Sequence, residues 1–315
     1  MKLQQEITQI GLDWHSKDII ENSLKNRPYH KSIRDIKPGG PSALIVSAGP
    51  SLYRERILEN ISGYQGLIIC IDGSYIRLLK AKIKPNYVLT LDPHPTRMVR
   101  WFGDYNLERN LEGDDYFSRQ DLDIAFRDSS VEDNKKNIEL VNRMGKNQKL
   151  IICSTSPQNL VSRVKQAGFD LYWWAPLVDD PEKDGLTREL IKSTGLPAMN
   201  TGGNVGTAAW VFAHSVLKIK NIAVVGMDLG YYKDTPREQT QTWHQLKDRP
   251  DIGELFPEFG FGDFYTDPTY YWYRQNLLDL VQASGSTLIN CTGAGTLYGP
   301  GIKVMDIEEW LKSCW

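Results

Sequence analysis

The chain contains 315 residues, of which 41% are hydrophobic and 24% are charged, which is ordinary for a globular protein with one large or two modest domains. Its 37 Lys and Arg residues against 39 Asp and Glu residues give a formal net charge of −2 at pH 7. A dedicated nucleic-acid-binding protein usually carries a clear excess of basic residues, so this balance argues against that class.

The N-terminal segment is amphipathic and carries charges throughout. It therefore lacks the apolar core of about 7–15 residues that a signal peptide needs, and no window approaches the roughly 20 apolar residues of a membrane span. The four cysteines are far apart and form no CxxC pair, which argues against a structural zinc site and favours reduced thiols. We expect a soluble, cytoplasmic protein.

Three short apolar segments, at 42–48, 66–72 and 86–92, each have the length of a strand. Helical patterns of roughly 10–15 residues separate them, and this alternation predicts βαβ units with a parallel sheet. Strands of such a sheet are buried on both faces, so their sequences are continuously apolar. The pattern predicts an α/β fold with a Rossmann-like, mostly parallel sheet flanked by helices.

Two segments interrupt this pattern. Residues 101–146 are polar and predict a helical insertion, which would serve either as a lid or as a dimer contact in a homo-oligomer. Residues 230–267 show no periodicity, which is typical of a lid or a substrate loop. We predict an N-terminal helical extension over residues 1–40 and one Rossmann-like domain over residues 41–315 that contains both segments.

Small and polar residues follow the first predicted strand. In open α/β sheets, ligands bind outside the carboxyl ends of the strands, where the strand order reverses. The first such turn includes Ser47, and Gly49 and Pro50 shape it. Ser51 can cap the next helix, whose free amides suit a phosphate. The motif is weak, and a plain strand-to-helix connection is the alternative.

Acidic residues follow the second and third strands. Asp72 and Ser74 come after the second strand, and Asp92 and His94 after the third. A carboxylate at this edge can bind a ribose, orient a catalytic group or hold Mg²⁺, whereas capping of the next helix is the structural alternative. Two prolines bracket His94 and stiffen its loop, which favours a catalytic function for this imidazole.

The segment TGGNVGTAAW is the most informative part of the chain. Thr201, Gly202 and Gly203 permit close approach of the backbone to a ligand, at the start of a helix whose amides suit an anion. A tight loop before a buried helix is the structural alternative. Asn204 favours the ligand site, because it adds a polar group that packing would not require.

Further candidates lie in the second half of the chain. Asp228 ends a predicted strand, and Tyr231 and Tyr232 follow it. These tyrosines could stack on a base or bind phosphate oxygens. His244, in the irregular segment, is a candidate acid or base. The sequence contains no HExxH-like metal motif and no recognisable nucleophile triad.

Together these motifs resemble the central domain of the motility-associated-factor (Maf) flagellin glycosyltransferases and of the related MptE-like 6-hydroxymethylpterin diphosphokinases. The matching segments are GPSL at 49–52, the stretch 71–93, TGGNVGTAA at 201–209, NIAVVGMDLGYY at 221–232 and INCTGAGTLYGPGI at 289–302. Their order is also similar to that of bacterial sialyltransferases that use CMP-sialic acid. The resemblance covers most of the chain from about residue 40 to residue 302.

The resemblance implies where a nucleotide would bind. Gly49, Pro50 and Ser51 would lie near its phosphate, and Thr201, Gly202 and Gly203 beside the cytidine and ribose. Asp228 and Tyr231 would be close by. The sialyltransferases have a histidine as general base before the next helix, and this chain has Asp263, Tyr265 and Thr266 at that place. Either His244 or an acid such as Asp263 would then serve as the base.

The activity implied by the resemblance is transfer of a nonulosonic, sialic-acid-like sugar from a CMP-activated donor to a hydroxyl of a protein or glycan, with no cofactor required. Two alternatives stay open. One is ATP-dependent pyrophosphoryl transfer to a hydroxymethylpterin, which needs Mg²⁺ and clustered carboxylates. The other is a nucleotide-sugar-binding protein without catalysis.

Overall fold

A computed structural model describes residues 19–54, 57–61, 63–112, 124–240, 243, 258–259 and 263–314. Nine strands form one sheet in which every neighbouring pair is parallel. The strands are β1 Ser42–Val46, β2 Leu67–Ile71, β3 Tyr87–Thr90, β4 Lys149–Cys153, β5 Asp170–Leu177, β6 Ala198–Asn200, β7 Asn221–Val225, β11 Leu288–Asn290 and β12 Ile302–Val304. The predicted Rossmann-like α/β fold is confirmed.

Helices cover both faces of this sheet, and the burial of β1 explains its sequence. Leu44 and Val46 contribute to the apolar core on one face, and Ala43 and Ile45 to the core on the other. Because successive side chains of a strand point to opposite faces, a strand between two cores must be apolar at every position. This is the physical origin of the continuous apolar segments in the sequence.

The helices lie between and after the strands. They are α1 at 19–25, α2 Ser51–Arg54, α3 Ile57–Asn60, α4 Asp72–Lys80, α5 Pro95–Arg100, α6 Leu107–Glu112, α7 Ile124–Met144, α8 Gln158–Gln166, α9 Leu186–Thr194, α10 Val205–Val211, α11 Pro268–Ser284 and α12 Ile307–Ser313. A π-helical turn, Phe212–Val216, continues α10. Within the described residues, no helix is long and apolar enough to cross a membrane.

The strand order identifies the edge of the sheet at which a ligand site is expected. The order is β12-β11-β7-β1-β2-β3-β4-β5-β6. The chain runs outward from β1 to β6 and then returns to β7 on the other side of β1. The strand order therefore reverses between β1 and β7, and the loops after these two strands meet there.

Some local predictions differ from the structure. Strands β6 and β12 were not predicted, because each has three residues and lies at an edge of the sheet. The segment expected to be irregular contains a small antiparallel sheet of three strands. These are β8 Tyr231–Tyr232, β9 Glu258–Phe259 and β10 Phe264–Tyr265, and β10 lies between the other two. A helical extension was expected over residues 1–40, but α1 ends at residue 25 and Ser32 then bridges to Trp173 of β5.

Candidate functional site

The loops after β1 and β7 stay hydrogen-bonded beyond the ends of their strands. The Ser47 amide donates to Val225 O at 2.9 Å, and the Gly49 amide donates to Gly226 O at 2.8 Å. A Cβ atom on Gly49 would lie 2.6 Å from Gly226 O, which explains why this position needs glycine. The two loops therefore form a continuous floor at the reversal point of the sheet.

Asp228 connects this floor to helix α2. Its Oδ2 accepts a hydrogen bond from the Ser51 amide at 2.9 Å, and its side chain is 2% exposed. Ser51 was predicted to cap the helix with its own hydroxyl, and this prediction was wrong: that hydroxyl has no hydrogen-bond partner within the described residues, and Asp228 provides an acceptor at the helix start instead. The carboxylate places a negative charge at the start of α2, so a phosphate there would meet like-charge repulsion.

Two buried hydroxyls lie on the same floor. Ser47 and Ser51 are 5% and 0% exposed, and neither hydroxyl has a hydrogen-bond partner within the described part of the chain. Buried polar groups are normally hydrogen-bonded. The Ser47 hydroxyl faces the start of α10, because a Cβ atom on Gly206 would lie 3.2 Å from Ser47 Oγ. Pro50 lies in the loop between these two serines.

The turn from Thr201 to Asn204 forms the wall beside this floor, and it bonds largely to itself. The Gly202 amide donates to Asn200 Oδ1 at 2.9 Å, and the Gly203 amide to Thr201 Oγ1 at 3.1 Å. Gly202 and Gly203 have φ values of +53° and +88°, in the left-handed region that favours glycine. The glycines are thus required by the turn itself.

Asn204 has a structural function that the sequence analysis missed. Its Oδ1 accepts a hydrogen bond from the Thr207 amide at 2.9 Å, and its Nδ2 donates to Thr207 Oγ1 at 2.9 Å. Asn204 is therefore the N-cap of α10. The expectation that packing would not require this side chain was wrong, because capping uses both of its polar atoms.

An aromatic cluster closes the other side of the turn. A Cβ atom on Gly203 would lie 2.6 Å from the rings of both Trp272 and Tyr273. These two rings belong to α11, and Asn276 of the same helix donates a hydrogen bond to Gly202 O at 3.2 Å. Helix α11 and the Thr201–Asn204 turn therefore form one packed unit.

The two predicted tyrosines point to opposite sides of the small sheet. Tyr231 lies between the rings of Tyr265 and Tyr270, at centroid distances of 5.5 and 5.1 Å. Tyr232 contacts Phe264 at 4.2 Å. Successive strand residues face opposite sides, so Tyr231 and Tyr232 do not line one surface together.

The residues after β2 are more structural than expected. Ser74 is fully buried, and its hydroxyl donates to Val46 O at 2.7 Å, which fixes α4 to β1. Asp72 begins α4, is buried, and accepts a hydrogen bond from the Gly73 amide at 2.7 Å. The Ser74 hydroxyl thus bonds to the neighbouring strand β1 and has a structural function.

The loop after β3 holds the half-buried pair Asp92 and His94. Asp92 Oδ1 accepts a hydrogen bond from the His94 amide at 2.8 Å, and Thr96 Oγ1 lies 3.1 Å from His94 Nδ1. Three side chains of other elements donate to the loop carbonyls: Asn22 to Pro93 O at 3.4 Å, Thr155 to Leu91 O at 3.3 Å and Asn159 to Pro95 O at 2.8 Å. Strand spacing places this loop about 14 Å from the end of β7.

The remaining catalytic candidates lie elsewhere. Asp263 is exposed at the turn before β10, and its carbonyl accepts a hydrogen bond from the Lys233 amide at 2.8 Å. His244 lies outside the described residues. Within those residues, no three His, Cys, Asp or Glu side chains form a group that could hold a metal ion. Asp72, Asp92 and Asp228 thus do not come together as one group of three carboxylates.

The buried thiols are held in the protonated form. Burial raises the pKa of Cys153 and of Cys291 to about 12 each, and burial with the nearby Asp72 carboxylate raises that of Cys70. A nucleophilic cysteine needs a depressed pKa. These three thiols are therefore core residues.

Several residues near Asp228 were not among the predicted site residues. Asp267 is fully buried, caps α11 through the Tyr270 amide at 2.8 Å and accepts a hydrogen bond from the Tyr231 hydroxyl at 3.2 Å. Thr296 and Arg274 are also buried and bond to the loops around Asp228. Asp267 was detectable as an aspartate before a proline at a helix start, but the others are brought to the site only by tertiary contacts.

Comparison with known proteins agrees with this architecture. Residues 17–109 match the model of the 6-hydroxymethylpterin diphosphokinase MptE-like family. The structure of MAf glycosyltransferase from Magnetospirillum magneticum AMB-1 is similar in fold, with a TM-score of 0.56 at 15% sequence identity. That similarity covers 94% of this chain and 40% of the Magnetospirillum chain, so this chain spans less than half of that protein's length.

No curated protein matches the chain in sequence. The similarity to the Magnetospirillum protein concerns the fold, whereas the match to the MptE-like model concerns the sequence from α1 to α6. The predicted resemblance to the Maf and MptE-like proteins is therefore confirmed.

Proposed function

We propose that this protein is a Maf-like glycosyltransferase that transfers a nonulosonic sugar from a CMP-activated donor to a hydroxyl acceptor. The observation that carries the proposal is the similarity of almost the whole fold to a MAf glycosyltransferase. The polar floor at the reversal point, which contains Ser47, Ser51 and Asp228, supports it because nucleotides bind at such points in α/β sheets.

The charge of Asp228 orients the donor in this proposal. Its carboxylate already caps α2 through the Ser51 amide, so donor hydroxyls, and not the phosphate, bind at this end of the floor. Carboxylates accept hydrogen bonds from sugar hydroxyls, as the acidic residue of dinucleotide-binding folds does. In this proposal the phosphate faces the Thr201–Asn204 turn, whereas the resemblance implies a phosphate near Gly49, Pro50 and Ser51.

The sugar of the donor extends from the floor toward the loop after β3, where His94 is the general base in this mechanism. In the tautomer whose Nδ1–H donates to Thr96, Nε2 carries the lone pair that can accept a proton. It removes the proton of the acceptor hydroxyl as the acceptor oxygen bonds to the anomeric carbon of the sugar. The bond from that carbon to the phosphate oxygen breaks, and CMP leaves with the electron pair.

A thermal-shift titration tests the proposal, with CMP, CDP, ADP and ATP, each with and without Mg²⁺. A ligand that binds only the folded state raises the unfolding midpoint by mass action. We expect CMP to stabilise the protein without metal and ADP to have no effect. Lack of any CMP stabilisation would contradict the proposal. Stabilisation by CMP without turnover of CMP-activated sugars would identify a binding protein.

A diphosphokinase is the second candidate, and the match of residues 17–109 to the MptE-like model favours it. The matched part includes Asp72, Asp92 and His94. Within the described residues, no three His, Cys, Asp or Glu side chains form one group, so in this candidate Mg²⁺ would be held by fewer carboxylates together with the ATP phosphates. Stabilisation by ATP only in the presence of Mg²⁺ would favour this candidate over the glycosyltransferase.

A further inference from the structure

Leu229, directly after Asp228, has an unusual backbone conformation. Its φ is +49°, in the left-handed region, although it carries a branched side chain and is buried. Non-glycine residues seldom adopt this conformation, and it persists only where the surrounding structure imposes it. Together with Gly226, at φ +66°, it turns the loop after β7 so that Asp228 reaches the Ser51 amide.

Thr296 contacts the backbone carbonyls of both Asp228 and Leu229. Its amide donates to Asp228 O at 2.8 Å, and its hydroxyl lies 2.8 Å from Leu229 O and 3.2 Å from Asp228 O. Thr266 also donates to Leu229 O, at 3.0 Å. Both threonines are fully buried, so water does not replace these bonds easily. The loop after β7 is therefore held from two different segments of the chain.

Gly295 brings the loop after β11 against the backbone of Asp228. A Cβ atom on Gly295 would lie 2.6 Å from Asp228 Cα and 2.6 Å from Asp228 O, and its φ is +86°. A side chain at this position would push the two loops apart. Glycine is thus needed for Thr296 to reach the carbonyls of Asp228 and Leu229.

Arg274 of α11 fixes the loop that carries Thr296. Its Nε donates to Thr296 O at 2.7 Å, and its Nη2 donates to Tyr298 O at 2.5 Å. The side chain is 8% exposed and lies over the Tyr298 ring at 5.2 Å. A continuous series of hydrogen bonds therefore runs from Arg274 through Thr296 to the loop that carries Asp228.

We propose that Thr296 and Arg274 are positioning residues, which impose the left-handed conformation of Leu229 and thereby hold the Asp228 carboxylate at the Ser51 amide for donor binding. The statement about donor binding rests on the proposed function. The statement about the carboxylate does not, because the Asp228–Ser51 hydrogen bond exists without a ligand.

Amide hydrogen exchange at Ser51, measured by NMR on the ligand-free protein, tests the positioning directly. Thr296→Val removes the hydroxyl and keeps the amide bond, so we expect Ser51 exchange to rise roughly tenfold, as loss of one buried hydrogen bond allows. Thr296→Ser keeps the hydroxyl and should restore slow exchange. Unchanged Ser51 exchange in Thr296→Val would overturn the proposal.

Thr187 provides a matched control. It is also fully buried, and its hydroxyl accepts hydrogen bonds from the Val178 and Asp179 amides at 2.9 and 3.0 Å, at another helix start. Thr187→Val should lower the unfolding midpoint without changing Ser51 exchange. An equal rise of Ser51 exchange in this variant would show a general loss of stability, and would contradict positioning by Thr296.

The same variants separate this inference from the proposed function. CMP affinity, measured by calorimetry, should fall roughly tenfold in Thr296→Val and return in Thr296→Ser. Faster Ser51 exchange with no CMP binding even in the natural protein would contradict the proposed function and support the positioning. Arg274→Met should act in the same direction, and Leu229→Gly in the Thr296→Val background should recover part of the protection, because glycine adopts positive φ readily.

Discussion

The loops after β7 and β3 both present an aspartate after a buried strand, yet they hold it in different ways. Asp228 bonds to the amide of another element, Ser51, whereas Asp92 bonds to the amide of His94 in its own loop. Asp228 is almost fully buried, and Asp92 is half-buried. Similar strand ends can therefore carry either a tertiary contact or a local turn.

The backbones of the two loops are also held in different ways. Two prolines restrict the loop after β3, and side chains such as Asn22 and Asn159 satisfy its carbonyls. The loop after β7 instead contains Leu229 at positive φ, with Thr296 and Thr266 on its carbonyls. Changes near Asp228 should therefore affect the whole molecule, and changes near Asp92 should remain local.

The largest effect is expected for Asp228→Ala. The Ser51 amide would lose its buried, charged acceptor, so the free energy of unfolding should fall by about 2–3 kcal/mol, and CMP binding should be lost. Urea denaturation and calorimetry measure the two quantities. Asp179→Ala is the control, because Asp179 caps α9 through the Leu186 and Thr187 amides at 2.7 and 2.9 Å. It should lose stability and keep CMP binding, and retained binding in Asp228→Ala would refute the distinction.

Gly49→Ala should have the next largest effect. The added Cβ would lie 2.3 Å from Asp228 Oδ2 and must displace the carboxylate, which should lower the free energy of unfolding by about 2 kcal/mol. Gly63→Ala is a suitable control, since a Cβ there meets nothing within 4 Å. Equal midpoints for the two variants in urea would show that the floor accommodates a side chain.

Asn22→Ala tests the loop after β3. Its side chain donates to Thr155 O at 3.0 Å and to Pro93 O at 3.4 Å, and their loss should lower the free energy of unfolding by about 1 kcal/mol. We expect kcat to fall about fivefold with CMP affinity unchanged. Asn110→Ala, which removes a bond to Asp104 in the insertion, should leave kcat unchanged. A changed CMP affinity in Asn22→Ala would show that the two loops are coupled.

Alkaline pH gives the smallest effect and probes both regions. Burial raises the pKa of Cys153, near the β3 loop, and of Cys291, near the β7 loop, from 9.0 to about 12. The folded state keeps these protons and the unfolded state releases them, so stability falls as pH rises from 9 towards 12.

Urea denaturation at pH 8 and pH 10 measures this effect. Each thiol should account for about 1 kcal/mol of the loss at pH 10. Cys153→Ala and Cys291→Ala should each reduce the difference between the two pH values by that amount. An unchanged difference in either variant would mean that its thiol titrates normally in the folded protein.

The sequence alone determined the class of the fold, and it predicted the edge of the sheet at which the candidate site lies. Apolar strand segments and helical periodicity are patterns among residues close in the chain, so they can be recognised without the fold. Strand β1 shows their cause, because its side chains enter the apolar cores on both faces of the sheet. The polar residues after β1, β2, β3 and β7 could be recognised for the same reason. The small strands β6 and β12 were missed because three residues carry too little periodicity.

Only the tertiary structure decided what these residues do. The return of the chain to β7 beside β1 brings Asp228 to Ser51, and contacts with the loop after β11 bring Thr296 and Arg274 to the same place. Neither the cap formed by Asp228 nor the conformation of Leu229 follows from local propensity. Both depend on partners distant in the chain, because a hydrogen bond forms only where packing of the whole sheet brings donor and acceptor together.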